Sequence, residues 1–295
     1  MRPPSPSIPE REFLFTALKQ SLRLDGRSPL EMRTPSLIFG PEFGWVECSL
    51  GKTRVIASVD GKMVKPPPER PFEGIITIQS EISPMASSEY EVGRTSDEEV
   101  TLTRILDKIL RRSDVVDKES LCILAGQRVW QLRLTIHCLA DAGNLLDCAC
   151  LAGIVALKHF RRPEVEVIGD EVTVHAATER APLPLSLHHT PFCLTFALFP
   201  ESTSSTSSTS TPVIITILDP SLLEYRLATG FLHVAMNAQR ELCVVQKAGG
   251  VPLALDQLLP LIKDVAVTKV RELDAFVESR MKDDWEGRRK LVEVS

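Results

Sequence analysis

The sequence lacks long apolar runs and any excess of basic residues. Of its 295 residues 43% are hydrophobic, yet no stretch approaches the roughly 20 apolar residues of a membrane span, and the first residues lack the apolar segment of a signal peptide. The 34 basic and 39 acidic residues give a formal charge of −5, which excludes attachment to nucleic acid by bulk charge. Any nucleic-acid contact must therefore come from a local basic patch.

Closely spaced cysteine pairs are also missing. The seven cysteines form no C-x-x-C pair, and most lie within apolar or alternating runs. This spacing disfavours a disulfide framework or a zinc site, and it is typical of reduced thiols in the core of an intracellular protein. We expect no metal and no cofactor.

What the chain does contain is alternating strand and helix patterns, which predict an α+β protein. Hairpins are predicted about Gly51-Lys52 and Gly169-Asp170, and a mostly apolar helix is predicted from Leu145 to Phe160. Other predicted elements are helices at Glu10–Leu22, Ser96–Arg112 and Leu255–Met281, and strands at Ile75–Ile82, Gln127–Leu139, Cys193–Phe199, Val213–Leu218, Phe231–Asn237 and Glu241–Gln246.

The order of strands, helices, strands and a closing helix occurs twice. It predicts two related halves of βαβ type packed together, residues 1–190 and 191–282, followed by the start of a charged tail at 283–295. Residues 201–211, almost all Ser and Thr, have no apolar side chain to bury and are predicted to be a disordered insertion between two strands.

Several short strings resemble the RNase PH family, in this order along the chain: Arg23-Leu-Asp-Gly-Arg27, Asp117-Lys-Glu-Ser-Leu-Cys122, Val129-Trp-Gln-Leu-Arg133, Asp141-Ala-Gly-Asn144, His159-Phe-Arg-Arg-Pro163 and Gly249-Gly-Val-Pro-Leu253. Each string alone is weak, but the set in this order is specific. A second combination resembles a subunit of the eukaryotic RNA exosome ring: Glu119-Ser-Leu-Cys122, Val129-Trp130, Gly143-Asn144, His159 to Pro163 and Ala235-Met-Asn237. The resemblance implies an RNase PH-like fold of the ribosomal protein S5 domain 2 type.

The same resemblance implies a set of partners. They are other RNase PH-type ring subunits, cap proteins with RNA-binding domains, associated 3'-to-5' nucleases and single-stranded RNA, with no membrane. It implies a role in RNA processing and decay, including rRNA maturation, in the nucleus, the nucleolus and the cytoplasm.

Active members of the family degrade RNA with phosphate, and this chain departs from them at the groups that the chemistry needs. Tyr225 and Phe231 stand where a second pair of carboxylates is expected, and an aromatic ring cannot relay a proton as a carboxylate does. Leu145 and Leu146 stand where a phosphate loop needs cationic or hydroxyl donors, and Asp147 would repel phosphate. We predict that the chain is not an enzyme and has no catalytic residues.

Two further sets of charged residues are interpreted as structural. Asp219, which precedes Pro220, is interpreted as a turn residue rather than a catalytic remnant. Arg23, Asp25 and Arg27 are predicted to form a structural ion pair more readily than a ligand site.

A basic face is the candidate RNA-binding site. Arg104, Lys108 and Arg111 are spaced i, i+4 and i+7, which places three cations along one side of the Ser96–Arg112 helix, and the resemblance adds Arg94 in the preceding loop. Such a face is equally often exposed to solvent without binding any ligand.

Two alternatives to a non-catalytic ring subunit stay open. One is an active phosphate-dependent exoribonuclease with relocated catalytic groups, and the other is a free RNA-binding protein outside any ring.

Overall fold

The computed structural model describes residues 6–91, 93–169, 171–176, 179–200 and 214–294, with side chains up to residue 289. The Ser/Thr insertion predicted at 201–211 lies outside the described residues, and so does Asp170 of the second predicted hairpin turn. Within the described part of the chain, no helix has the length and apolar content needed to cross a membrane.

The structure is α+β, as predicted. In chain order its strands are β1 Pro35–Phe39, β2 Trp45–Leu50, β3 Thr53–Val64, β4 Ile75–Ile82, β5 Cys122–Leu124, β6 Arg128–Ala140, β7 Arg161–Arg162, β8 Val165–Ile168, β9 Glu171–Val174, β10 Leu183–Pro184, β11 Phe192–Pro200, β12 Ile214–Leu218, β13 Gly230–Met236 and β14 Leu242–Gly249. Its α-helices are α1 Ile8–Lys19, α2 Asp97–Leu106, α3 Leu145–His159, α4 Leu222–Leu227, α5 Leu255–Pro260 and α6 Val267–Val294.

Two sheets form the framework. The first has the order β1-β2-β3-β6-β4, with β5 added on β6, and all its pairings are antiparallel except β4 with β6. The second has the order β12-β11-β13-β14 and is antiparallel throughout. Residue 190 falls between β10 and β11, where the chain passes from the first set of strands to the second.

The apolar helix α3 lies at the centre. It contacts β2, β3 and β6 of the first sheet and β11 of the second, and nearly all its side chains are buried. A helix that is apolar on every face needs neighbours on every face, which is what the two sheets supply. The start of α3 therefore lies where the two halves meet.

The terminal helices depart from the predicted division. Helix α1 belongs to the first predicted half by sequence, but Leu14 and Leu18 pack with Phe199 and Ile217 of the second sheet in a separate small core. At the other end, α5 continues through a π-helical segment into α6, which passes the predicted boundary at residue 282 without a break. Apolar periodicity marks helices well but does not reveal which sheet a helix packs on.

Candidate functional site

A cavity of about 240 Å³ opens at the start of α3, between α2 and β13. Its walls include Leu102 and Ile105 of α2, Leu145 and Leu146 of α3, and Tyr225 of α4. Apolar side chains thus form much of the wall at the end of the helix where free amides favour an anion. Leu145 and Leu146 thus lie at the start of α3, where a phosphate loop would need cationic or hydroxyl donors.

The backbone before α3 packs closely against the start of α4. Gly143 has φ +89°, and a Cβ at this position would lie 2.6 Å from the backbone nitrogen of Leu222, at the start of α4. Only glycine tolerates both the left-handed conformation and so close an approach. The loop at residues 141–144 is consequently held against the second half of the protein.

Asn144 directly precedes α3 but does not cap it with its side chain. The residue adopts a left-handed conformation, φ 58° and ψ 48°, and its side chain makes no capping hydrogen bond. Its Nδ2 instead donates to Asp147 Oδ2 at 2.8 Å and to Asp219 Oδ1 at 2.7 Å. Because two buried carboxylates need donors here, the amide is drawn into the core, and no described group donates to its own buried oxygen, Oδ1.

Asp147, whose charge the sequence places at the phosphate loop, is not among the residues that line the cavity. Its carboxylate is buried and accepts from the backbone nitrogen of Thr195 at 2.8 Å and from Thr195 Oγ1 at 2.7 Å, which ties α3 to β11. Burial raises the pKa of the Asp147 carboxyl to about 6, although the hydrogen bonds from Thr195 and Asn144 oppose this change.

Asp219 is more than a turn residue. It has φ +51° at the end of β12 and is fully buried. Oδ1 accepts from Arg33 Nη2 at 2.7 Å, while Oδ2 accepts from Arg33 Nε at 2.8 Å and from Arg27 Nη1 at 2.9 Å. Burial by itself would raise the pKa of Asp219, but Arg33 and Asn144 outweigh it and hold the pKa below its usual value. The turn interpretation is replaced by a buried ionic junction, and the carboxylate has no face toward the cavity.

The structural role predicted for Arg23, Asp25 and Arg27 is confirmed. Arg23 forms a buried two-point ion pair with Glu224, with Nε to Oε1 at 3.0 Å and Nη2 to Oε2 at 2.6 Å. Arg27 Nε donates to Asp25 Oδ2 at 2.7 Å. These contacts join the segment after α1 to α4, and the paired geometry is the strong form of an arginine–carboxylate contact.

Sequence reasoning missed Arg33, which is central to this junction. Besides binding Asp219, its Nη2 donates to the carbonyl of Gly143 at 3.0 Å, and its Nη1 donates to the carbonyl of Ala142 at 3.3 Å. Arg33 thus supports the loop before α3 from behind, through main-chain atoms. A single arginine between a turn and a strand carries no periodic signal, so no pattern in the sequence indicated it.

Aromatic rings occupy the place where carboxylates were sought. The rings of Tyr225 and Phe231 stack with centroids 4.4 Å apart, and Phe231 also stacks near His233 at 6.1 Å. Burial raises the pKa of the Tyr225 phenol to about 12 and lowers the pKa of the His233 imidazole to about 4. At neutral pH the phenol is therefore not a base and the imidazole is not an acid.

The mouth of the cavity is acidic. Asp97, Glu98 and Asp141 line it, and Tyr90 Oη donates to Glu98 Oε2 at 2.7 Å and lies 3.2 Å from Asp141 Oδ2. The lining residues, all from the described part of the chain, include no Lys or Arg. An inorganic phosphate would thus meet negative charge at the entrance and no cation within.

The predicted basic face is changed by a π-helical turn. Helix α2 ends at Leu106, and Asp107–Arg111 continue it with the wider i to i+5 pattern. The wider turn brings Arg112, rather than Arg111, onto the same depression as Arg104 and Lys108. The predicted alignment of Arg104, Lys108 and Arg111 along one side is therefore only partly right.

Each basic residue has a distinct environment. Arg104 makes no ion pair with a described carboxylate, whereas Lys108 Nζ donates to Gln246 Oε1 of β14 at 2.8 Å. Arg111 and Arg112 both bond Asp107 Oδ2, at 3.0 and 3.1 Å, and Arg111 lines a neighbouring depression. Arg94 lies apart in the preceding loop, with its side chain 82% exposed.

No metal site accompanies these groups in the described residues, since none of their His, Cys, Asp and Glu side chains form a suitable cluster of three. The seven cysteines are free thiols, and five of them are buried.

Comparison with known proteins decides the family. Residues 31–163 match the family model described as the 3' exoribonuclease family, domain 1, and residues 205–263 match domain 2 of the same family. The chain belongs to the RNase PH family. Helix α3 and the loop before it fall in the first matched segment, and the Tyr225–Phe231 pair falls in the second.

Several RNase PH-family relatives are curated as exosome components. Exosome complex component RRP45 of Bos taurus is 42% identical over 95% of this chain, and that of Schizosaccharomyces pombe is 41% identical over 89%. The Saccharomyces cerevisiae protein is 38% identical over 97% of this chain. The chain spans 61% of the length of the bovine relative, but 87% and 94% of the two yeast relatives.

Solved structures agree with this fold. A chain of the Archaeoglobus fulgidus exosome with RNA bound to the active site is 26% identical, with a TM-score of 0.74 over 90% of this chain and 96% of that one. A chain of an archaeal exosome core, 24% identical, superposes with a TM-score of 0.70 over 91% of this chain and 96% of that one, which shows the shared RNase PH fold.

Proposed function

We propose that this chain is a non-catalytic ring subunit of the RNA exosome, which helps to form the channel and guides single-stranded RNA during 3'-to-5' processing and degradation. One observation carries the proposal: the cavity at the start of α3 has an acidic mouth, leucine walls and no lining cation. The similarity to exosome components over most of the chain supports the assignment to the ring.

Phosphorolysis needs an anion site, and no lining cation of the cavity supplies one. Charge-assisted contacts are the strong ones for phosphate, and the guanidinium groups of Arg27 and Arg33 are engaged by Asp219. Burial raises the pKa of the Tyr225 phenol to about 12, so Tyr225 is protonated at neutral pH and cannot accept a proton as a general base. The site thus retains the architecture of the family without its chemistry.

RNA guidance would fall to the basic face. Arg94, Arg104, Lys108 and Arg111 are the residues proposed from the sequence, and the geometry supports adding Arg112, which shares a depression with Arg104 and Lys108. With about three phosphate contacts on single-stranded RNA, the logarithm of the affinity should fall with the logarithm of salt with a slope of about −2. This subunit alone would therefore hold RNA weakly.

The proposed partners are other RNase PH-type ring subunits, cap proteins with RNA-binding domains and associated 3'-to-5' nucleases, with action in the nucleus, nucleolus and cytoplasm. Strand β14 lies at the edge of the second sheet, and its Leu242 and Val245 are exposed. A sheet edge with exposed apolar side chains favours pairing with another chain.

Co-expression with RNase PH-type ring subunits tests the assignment to the ring. We expect a stable complex of defined mass containing one copy of this chain, because the exposed sheet edge needs a partner. A chain that stays monomeric in the presence of those subunits, yet binds RNA tightly, would instead establish a free RNA-binding protein.

A further inference from the structure

Several groups that line the cavity at the start of α3 are hydrogen-bond acceptors. Asn144 is 2% exposed, and its orientation is fixed because Nδ2 donates to both Asp147 and Asp219. Turning the amide over would place its oxygen against two carboxylate oxygens. Its Oδ1 is therefore a buried acceptor with no described donor, on a residue that lines the cavity. Such an atom is costly unless a ligand or another donor satisfies it.

A second acceptor follows from the contacts of Thr195. Its Oγ1 has one hydrogen, which it donates to Asp147 Oδ1 at 2.7 Å, so it must accept from His233 Nδ1 at 3.0 Å. The imidazole is neutral, because burial lowers the pKa of His233 to about 4. Its Nε2 thus carries no hydrogen and is an acceptor on a ring that lines the cavity.

The remaining lining groups fit one kind of ligand. Asp97, Glu98 and Asp141 give the mouth a negative charge, and Leu102 and Ile105 offer apolar surface behind them. The volume of about 240 Å³ is far larger than the roughly 10–15 Å³ that one water needs. These features match a ligand that carries hydrogen-bond donors and a positive charge on an aliphatic stem.

We propose that this cavity binds a primary alkylammonium group. The group would be the end of a lysine side chain from a neighbouring protein, or a small aliphatic diamine. The ammonium donates to Asn144 Oδ1 and to the acidic mouth, while its methylene groups pack on Leu102 and Ile105. The inference rests on the lining of the cavity alone and does not require the exosome assignment.

The test uses the purified chain and calorimetric titration with n-butylammonium, n-butanol, butyrate and inorganic phosphate. We expect n-butylammonium to bind more tightly than the other three, and in NMR spectra we expect it to shift the side-chain amide resonances of Asn144. Titration with 1,4-diaminobutane and with Nα-acetyl-lysine methylamide separates the two sources. Tighter binding of 1,4-diaminobutane favours a small aliphatic diamine, and tighter binding of the lysine derivative favours a lysine side chain.

A double variant, Asp97→Asn with Glu98→Gln, removes two exposed carboxylates while preserving their shape. It should weaken n-butylammonium about fivefold, because exposed ion pairs are individually modest. The matched control, Glu69→Gln with Asp256→Asn, removes the same charge away from the cavity and should leave binding unchanged. Equal binding of n-butanol, or no binding of any ammonium probe, would overturn the proposal. Tight binding of inorganic phosphate would overturn it as well, whereas failure to assemble in a ring would count only against the proposed function.

Discussion

Asp219 accepts two hydrogen bonds from the guanidinium group of Arg33, at 2.7 and 2.8 Å, across 186 residues of sequence. The carboxylate is fully buried, and Arg27 and Asn144 complete its contacts. This cluster joins the segment before β1, the start of α3 and the end of β12. An acidic residue in a region associated with catalysis thus serves to hold the two halves together.

Replacing Asp219 with alanine should destabilise the protein by about 3–5 kcal/mol, because it leaves the buried guanidinium of Arg33 without its partner. The free energy of unfolding, measured by denaturant titration, checks this expectation. Asp25→Ala is the matched control, since Asp25 pairs with Arg27 near the surface and should cost about 1 kcal/mol or less. Similar losses from both substitutions would show that the junction is not a special source of stability.

Asp147 should make stability depend on pH. Its pKa is about 6 in the folded protein, above the 3.8 of an unperturbed carboxyl. Below about pH 4 it is protonated in both states and has no effect, whereas above about pH 6 its buried charge opposes folding. The folded protein therefore loses stability from this group as pH rises between these limits, by about 3 kcal/mol, since each pKa unit is worth about 1.4 kcal/mol.

Asp147→Asn removes this titration and retains an acceptor for the backbone nitrogen of Thr195. The free energy of unfolding of both proteins is measured from pH 4 to about pH 7. As pH rises, the free energy of unfolding of the native protein should fall relative to that of the variant. A difference that stays constant with pH would mean that the carboxyl titrates normally despite its burial.

The basic face can be tested with two triple substitutions of equal charge. Changing Arg104, Lys108 and Arg112 to glutamate should weaken RNA protection by the assembled ring more than changing Arg104, Lys108 and Arg111, because the π-helical turn places Arg112 on the shared depression. Nuclease protection of single-stranded RNA at several salt concentrations is the measurement. Equal protection by both variants and the native ring would remove the RNA role from this face.

Helix α6 should contribute to stability beyond residue 282. Arg288 donates to the carbonyl of Pro41 at 2.8 Å and to Asp284 Oδ2 at 2.7 Å, and its guanidinium lies 4.9 Å from the ring centroid of Phe43. Arg288→Ala should cost about 1–2 kcal/mol through these lost contacts. Lys282→Ala, at an exposed position on the same helix, should change the free energy of unfolding by less than about 0.5 kcal/mol; a comparable loss would indicate a general helix effect.

Local patterns in the sequence predicted most of the secondary structure. The strand at Ile75–Ile82 has the predicted bounds, and α3 ends one residue earlier than predicted. Both segments owe their form to a periodicity that can be counted along the chain. The motif strings added the family, which periodicity alone could not provide.

The candidate site could be predicted only where its chemistry is local. Tyr225 and Leu145 could be recognised as departures from a motif, but the roles of Asp219 and Arg33 depend on contacts between distant segments. The π-helical turn at Asp107–Arg111 likewise has no periodic signal, and it changes which cation joins Arg104. These features depend on contacts between distant segments, which local sequence patterns do not reveal.

The most direct test of the central claim is an RNA degradation assay on the purified chain, alone and assembled with RNase PH-type partners that lack activity of their own, with and without inorganic phosphate. We expect no phosphate-dependent release of nucleoside diphosphates in either form, since the cavity at the start of α3 has no lining cation. Phosphate-dependent release of nucleoside diphosphates by the pure chain would contradict the account and establish an active exoribonuclease with relocated catalytic groups.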